Sequence, residues 1–149
     1  MSGLFITMEG TDGAGKTTQI KLLEKHLKDK GFKVVCTREP GGTPISEKIR
    51  EIIIDKNNSE MTDMTEALLY AAARAQHVND VILPTLKEGG IVISDRFVDS
   101  SVVYQGFARS IGERLIKSIN KTFAQAEVFF DNKGKQTGSR KVQLSSKSI

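Results

Sequence analysis

Cysteine is nearly absent from this 149-residue chain: Cys36 stands alone, which rules out an intramolecular disulfide or a cysteine-based zinc cluster. No apolar run approaches the length of a membrane span. The N-terminus has neither the charged start nor the long apolar core of a signal peptide. Together these absences fit a protein of the reducing cytoplasm with no membrane partner. No internal repeat is visible, and no Ser-His-Asp or Cys-His set suggests a hydrolase. Acidic residues are missing beyond Asp131, where five basic ones remain (Lys133, Lys135, Arg140, Lys141 and Lys147). The formal charge of +4 therefore belongs to the tail. Residues 1–131 hold 17 basic against 18 acidic side chains, so net charge gives no support to a nucleic-acid-binding face on the body. The length suits one domain with a real core.

What is present is a complete phosphate-binding loop, G-x-x-x-x-G-K-[ST], at Gly10-Thr11-Asp12-Gly13-Ala14-Gly15-Lys16-Thr17. The apolar run Leu4–Met8 before it reads as a buried strand. The pattern from Lys16 to about Lys30 reads as a helix that Gly31 stops. Strand, glycine-rich turn and helix is the context this motif requires. The glycines let successive backbone N–H groups turn inward toward phosphate oxygens, and the helix N-terminus adds its partial positive charge. Lys16 reaches for the terminal phosphates, and the Thr17 hydroxyl is a ligand for Mg²⁺. Residues Gly10 to Thr17, with Thr18, form the expected ATP site.

Ile20, Leu22, Leu23 and Leu27 make the apolar stripe of the first helix, with His26 at its boundary. A second strand is expected over 32–37, followed by the turn Arg38-Glu39-Pro40-Gly41-Gly42-Thr43-Pro44, which prolines and glycines fix in shape. Ser46 is the expected cap of the next helix, with Ile49, Ile52 and Ile53 facing inward. Residues 56–63 read as a polar loop, and 64–83 as one long helix. Tyr70 and Arg74 share a face of it. Two readings of Arg74 stand side by side: an ion pair at the edge of the core, or a hydrogen-bonding fork in a ligand pocket with Tyr70 as the stacking plane. Ile91–Asp95 is an apolar strand ending in aspartate, and Arg96 follows it at the strand end where open α/β sheets bind ligands. Ser100, Ser101, Tyr104, Gln105 and Arg109 add a polar cluster. Helix is expected again over 112–125 and a short strand over 126–130, and the polar basic stretch 132–149 reads as disordered. Alternating strands and helices predict a parallel sheet covered on both faces.

Several of these pieces coincide in one family. The sequences Phe5-Ile6-Thr7-Met8-Glu9-Gly10, Thr37-Arg38-Glu39-Pro40-Gly41-Gly42-Thr43, Leu69-Tyr70-Ala71-Ala72-Ala73-Arg74-Ala75-Gln76-His77, Asp95-Arg96-Phe97-Val98-Asp99-Ser100-Ser101 and Tyr104-Gln105-Gly106 resemble those of bacterial thymidylate kinases, over about residues 1–122. The resemblance implies a P-loop nucleoside-monophosphate kinase that phosphorylates dTMP to dTDP with ATP and Mg²⁺, as a homodimer. It implies that Tyr70 stacks on thymine, where phenylalanine is usual, and that Arg74 bonds a base carbonyl. It further implies that Ser101 and Gln105 read the pyrimidine edge, that Arg38, Arg50 and Arg96 cradle the monophosphate, that Asp12 lies close to the acceptor, and that Asp95 is linked to Mg²⁺. The catalytic set it implies is Lys16, Asp12, Arg96 and Arg38. That inventory suits the chemistry. The nucleophile is a phosphate oxygen already ionised at neutral pH, so alignment and charge neutralisation matter more than a strong base.

The chain departs from the family in two places. Gly13 stands where some members carry a loop arginine, and such members take arginines from a later lid. Beyond about Thr122 the resemblance stops, as a truncation or shifted frame would make it, and Arg140 and Lys141 lie in a stretch unlike the lid. A kinase for another nucleotide is therefore one alternative, and a nucleotide-binding module without turnover is another. Asp131-Asn132-Lys133-Gly134 matches D-x-x-G formally, but no N-K-x-D guanine reader accompanies it.

Overall fold

The computed structural model describes residues 3–121 in full and the backbone of 127–130 and 136–140. Three strands form a parallel sheet: β1 (Leu4–Met8), β2 (Val34–Arg38) and β3 (Ile91–Asp95), in the order β1-β3-β2. β3 is central because it is apolar on both faces, the composition of a strand covered from both sides. Val92 packs with Val78, Ile82 and Phe97 on one face. Ile91 and Ile93 pack with Ile20 and Val34 on the other. β1 is an edge strand among the described residues and is only partly covered, with Leu4 exposed, so the expectation of a buried strand is corrected there.

Helix α1 (Lys16–Asp29) lays Ile20, Leu23 and Leu27 on the sheet. Leu22 points to solvent, because it falls off the stripe that i, i+3 and i+7 define. Gly31 ends the helix at φ 84°, and the Phe32 N–H closes on the Leu27 carbonyl at 3.1 Å, the left-handed stop that only glycine adopts freely. Helix α2 (Pro44–Ile54) is capped by Thr43, whose hydroxyl accepts from the Ser46 N–H at 3.1 Å. Ser46 is therefore not the cap. It is buried, and its hydroxyl donates to the Ala73 carbonyl at 2.8 Å, tying α2 to the next helix. Ile52, expected inside, is exposed.

The expected single long helix is real in path but not in winding. Helix α3 (Asp63–His77), capped by Thr62, runs into a π-helical segment Val78–Ile82 and then α4 (Leu83–Lys87). The wider turn falls just before Pro84, which has no N–H to give and whose ring crowds the carbonyl four residues back. The polar cluster after β3 is also helical: α5 (Val98–Ser101) continues as a π-helical segment Val102–Ala108. Helix α6 (Glu113–Lys121) begins within a residue of its expected start. Residues 122–126, its expected last turn, lie outside the described residues. β4 (Glu127–Phe130) pairs antiparallel with β5 (Gln136–Arg140). The strand over 136–140, which includes Arg140, replaces the expectation of disorder there. Lys141 and the D-x-x-G match at 131–134 lie outside the described residues.

The register aligns the sheet's C-terminal ends. Met8 and Arg38 both sit opposite Asp95. The phosphate loop, the Glu39–Thr43 turn and Arg96 therefore leave the sheet side by side.

Candidate active site

The loop has the geometry its glycines predict. Gly13 and Gly15 take φ of 81° and 82°, and Gly15 delivers the chain into α1. No acidic residue sits in the first turn of α1 to offset its positive end. Lys16 Nζ donates back to the carbonyls of Gly10 (3.0 Å) and Thr11 (2.8 Å). Its ammonium is thus held within the loop, over the place where phosphate oxygens would compete for it.

Two cavities open at the C-terminal edge of the sheet. One, of about 380 Å³, is lined by Gly13, Gly15, Lys16, Thr17, Thr18, Arg38 and Asp95. The other, of about 330 Å³, is lined by Pro40, Ile54, Tyr70, Arg74, Phe97, Ser100, Ser101, Tyr104 and Gln105. Asp12, Glu39, Arg50 and Arg96 line both. Of the expected ATP residues, Gly10, Thr11 and Ala14 complete the loop outside the cavity lining. All the expected acceptor residues reach one cavity or the other.

Arg96 stands at the junction with φ 73°, a left-handed conformation that costs a non-glycine residue about 1–3 kcal/mol. The surroundings hold it there. Its N–H donates to the Met8 carbonyl (3.0 Å), the Ser94 hydroxyl donates to its carbonyl (2.8 Å), and Glu9 Oε1 accepts from the next N–H, that of Phe97 (2.8 Å). The guanidinium lies over Tyr104, 5.4 Å from the ring centre, and donates to Asp12 (2.5 Å) and Ser100 (3.2 Å). Burial pulls its pKa down, and Asp12 and Tyr104 outweigh that, so the net displacement is upward. Burial pushes Glu9 up, against its hydrogen bonds from Ser100 and Phe97. Burial, then the Glu66 charge, pushes the Tyr70 phenol up, so the ring stays neutral. Burial, then Glu24, pushes the Cys36 thiol up to about 11, which leaves it protonated and no nucleophile.

Arg74 makes the ion pair of the first reading and also stands on the wall of the second cavity. It is 2 % exposed and its Nε is bound to Glu39 Oε2 at 2.6 Å. It also donates to Asn120, to Ser101 Oγ (2.9 Å) and to the Phe97 carbonyl (3.3 Å). Yet it lines the second cavity. Glu39 is the hub, since its other oxygen meets His77 Nδ1 at 3.0 Å, and His77 Nε2 lies 2.7 Å from Thr37 Oγ1. The sequence reading missed the supporting roles of Glu9, Glu39, Glu66, His77 and Asn120. A signal existed for Glu66 alone, one turn before Tyr70 on the face it shares with Arg74. Arg38 is half-exposed and paired with Glu47 (2.9 Å), and Arg50 donates to the Pro40 carbonyl (3.0 Å). Arg109 lies outside both cavities, on Glu66 and Asp63.

Thr17 and Asp95 line the loop-side cavity together. Asp95 Oδ1 is buried without a hydrogen-bond partner among the described residues, which fits a carboxylate oxygen reserved for a cation or its water. The described residues hold no cluster of three acidic, histidine or cysteine ligands. That donor set fits Mg²⁺, which keeps waters and takes substrate phosphates instead of a full protein cage.

A parallel sheet, a phosphate loop at its C-terminal edge and an adjoining cavity walled by arginines define a P-loop fold of the nucleoside-monophosphate kinase class. The family model for thymidylate kinase matches residues 8–148, running past the point where the motifs end. The chain belongs to the thymidylate kinase family. It is 58 % identical over 119 residues to a thymidylate kinase of Geotalea daltonii, covering 80 % of this chain and 56 % of that protein. A thymidylate kinase of a Geobacillus species is 53 % identical over 136 residues, covering 88 % and 65 %. The crystal structure of thymidylate kinase from Ehrlichia chaffeensis matches with a TM-score of 0.77 at 38 % identity, covering 87 % of this chain and 71 % of that one. The chain thus spans about three-fifths of the curated relatives it matches. Among the described residues no helix is long and apolar enough to cross a membrane.

Proposed function

We propose that the protein transfers the γ-phosphoryl group of ATP to the monophosphate of dTMP, giving dTDP and ADP, in the supply of dTTP in the cytoplasm. The observation that carries this is the shared wall of the two cavities: Arg50 and Arg96 face the phosphate loop and the acceptor cavity at once. A donor with its phosphates on the loop and an acceptor with its base against Tyr70 bring their phosphates together at that wall.

An ionised oxygen of the acceptor phosphate attacks the γ-phosphorus in line, the bond to the β-bridging oxygen breaks, and ADP leaves. Both reactants are anions, so the barrier is repulsion and misalignment. Arg50 and Arg96 offset acceptor charge, and Lys16, released from the Gly10 and Thr11 carbonyls, meets the transferring group. Asp12, freed from Arg96 when phosphate takes its place, becomes an acceptor for a sugar hydroxyl. Thr17 and Asp95 would hold Mg²⁺, which would supply positive charge to offset that of the donor phosphates. The apolar side chains of Ile45 and Ile52 on α2 and Leu68 on α3 are exposed, which supports a homodimer through these packed helices. Light scattering at micromolar protein should show twice the chain mass.

The test is coupled ADP release with dTMP, dUMP, dCMP and AMP as acceptors. Turnover greatest with dTMP supports the reading. Tight Mg·ATP binding with no dTDP formed would sink it and leave a nucleotide-binding module.

A further inference from the structure

We infer that Glu66 is a positioning residue: it fixes which end of the Gln105 amide faces the nucleobase, and so makes the site prefer pyrimidines with a C4 keto oxygen and a hydrogen on N3. The inference rests on the function proposed above, and names the device that sets its base preference.

Gln105 is 3 % exposed and lines the acceptor cavity. Its Nε2 donates to Glu66 Oε1 at 3.1 Å. The other Glu66 oxygen accepts from Arg109 Nη2 at 3.1 Å, and Asp63 Oδ1 lies 3.5 Å from Arg109 Nε. Glu66 is thus held on two sides, with a cation supplying its countercharge. The two ends of a glutamine amide have nearly the same shape but opposite hydrogen-bonding sense. A carboxylate accepts and cannot donate, so only the NH₂ end of Gln105 can face Glu66. The carbonyl end is left for the cavity that Gln105 shares with Tyr70, Arg74 and Ser101.

An acceptor at that point matches the N3–H of thymine or uracil. Cytosine presents a lone pair at N3 and would leave two buried acceptors facing each other, which a desolvated site penalises heavily. Arg74 reinforces the pattern. Its four named partners leave one N–H on Nη1, a donor suited to a C4 carbonyl and unsuited to a C4 amino group. Glu66, Tyr70 and Arg74 recur every four residues along α3, so one helix face carries the amide clamp, the stacking plane and the donor.

Binding of dTMP, dUMP and dCMP is measured by calorimetry on the full chain, without need of turnover. In Glu66→Gln the residue facing Gln105 can both donate and accept, so either amide orientation is satisfied. The dTMP-to-dCMP affinity ratio should narrow about tenfold or more. Affinity for dUMP should fall in step with that for dTMP, because the two share the same edge. Glu66→Ala, which removes the partner, should narrow the ratio likewise. Arg109→Ala, which keeps the carboxylate, should preserve it. A ratio unchanged in both Glu66 variants, or lost equally in Arg109→Ala, overturns the inference and leaves the proposed function standing. A parent chain that binds no dTMP overturns that function, and the inference with it.

Discussion

Replacing Glu39 with alanine tests whether the buried network behind the proposed acceptor site depends on this carboxylate. Glu39 and Arg74 are 3 % and 2 % exposed at their side chains and meet at 2.6 Å. His77, fully buried, completes the carboxylate's coordination. Without the carboxylate, Arg74 keeps its neutral partners Asn120, Ser101 and the Phe97 carbonyl, but its charge is buried and unbalanced. Breaking one side of such a pair costs about 3–5 kcal/mol. With a urea slope of about 2 kcal/mol per molar, the midpoint should fall by about 1.5–2.5 M. An exposed pair provides the contrast: Lys25 and Asp29 are 76 % and 61 % exposed, and Asp29→Ala should change stability by no more than about 0.5 kcal/mol. The chain has no tryptophan, so the transition is best followed by far-ultraviolet circular dichroism. A midpoint shift below about 0.5 M at unchanged slope would refute the argument, because it would mean that Arg74 does not depend on Glu39 for its charge balance.

Other expectations follow from the same geometry. Lys16→Ala should lower turnover about 10²–10³-fold, the usual loss of one preorganised contact to a developing charge; near-parent rates in a folded variant would remove Lys16 from the mechanism. Tyr70→Ala should weaken dTMP binding by about 1–3 kcal/mol, the range for base–aromatic stacking, while leaving ATP affinity close to the parent's; calorimetry separates the two ligands. Burial raises the Glu9 carboxyl above its ordinary 4.5 in the folded protein, so the folded state binds the proton more tightly than the unfolded one does. Glu9 therefore opposes folding once charged: that effect is absent below 4.5, grows as pH rises toward the folded value, and is complete above it. Glu9→Gln should flatten this decline in denaturation midpoints measured from pH 4 to 7, and an unchanged slope would show that Glu9 is already charged without penalty.

The sheet and the phosphate loop were legible in the sequence because both are local. An apolar run preceded by Gly89-Gly90 and ended by aspartate names β3 without knowledge of its neighbours, and Gly10 to Thr17 carry their own backbone conformation. Helix existence was legible for the same reason, and winding was not: nothing local distinguishes a π-turn at 78–82 from one more α-turn, although Pro84 marks where regular winding fails. Facing was less legible still. Leu22 and Ile52 are apolar and lie near the buried stripes, yet side chains one or two positions off the stripe point to solvent. Ser46 looked like a cap because serine often is one, while Thr43, three residues earlier, had the extended backbone a cap requires.

What remained hidden were partners distant in sequence. Arg74 shows why this matters for function. Its spacing from Tyr70 placed it on the correct face, but its worth to a ligand depends on how many of its donors the protein already uses. Glu39 lies 35 residues before it, Ser101 27 after and Asn120 46 after, and no periodicity links those positions. An arginine with free donors would be a flexible anion clamp that could follow a phosphate. Held by four partners through all three of its nitrogens, Arg74 cannot follow anything. Its remaining N–H is a fixed reference point, and fixed donors discriminate between ligands where mobile ones accommodate them. The ion pair and the proposed recognition role are thus one arrangement: Glu39 holds the guanidinium in place, and under the proposed function that immobility would let a single N–H tell a carbonyl from an amine.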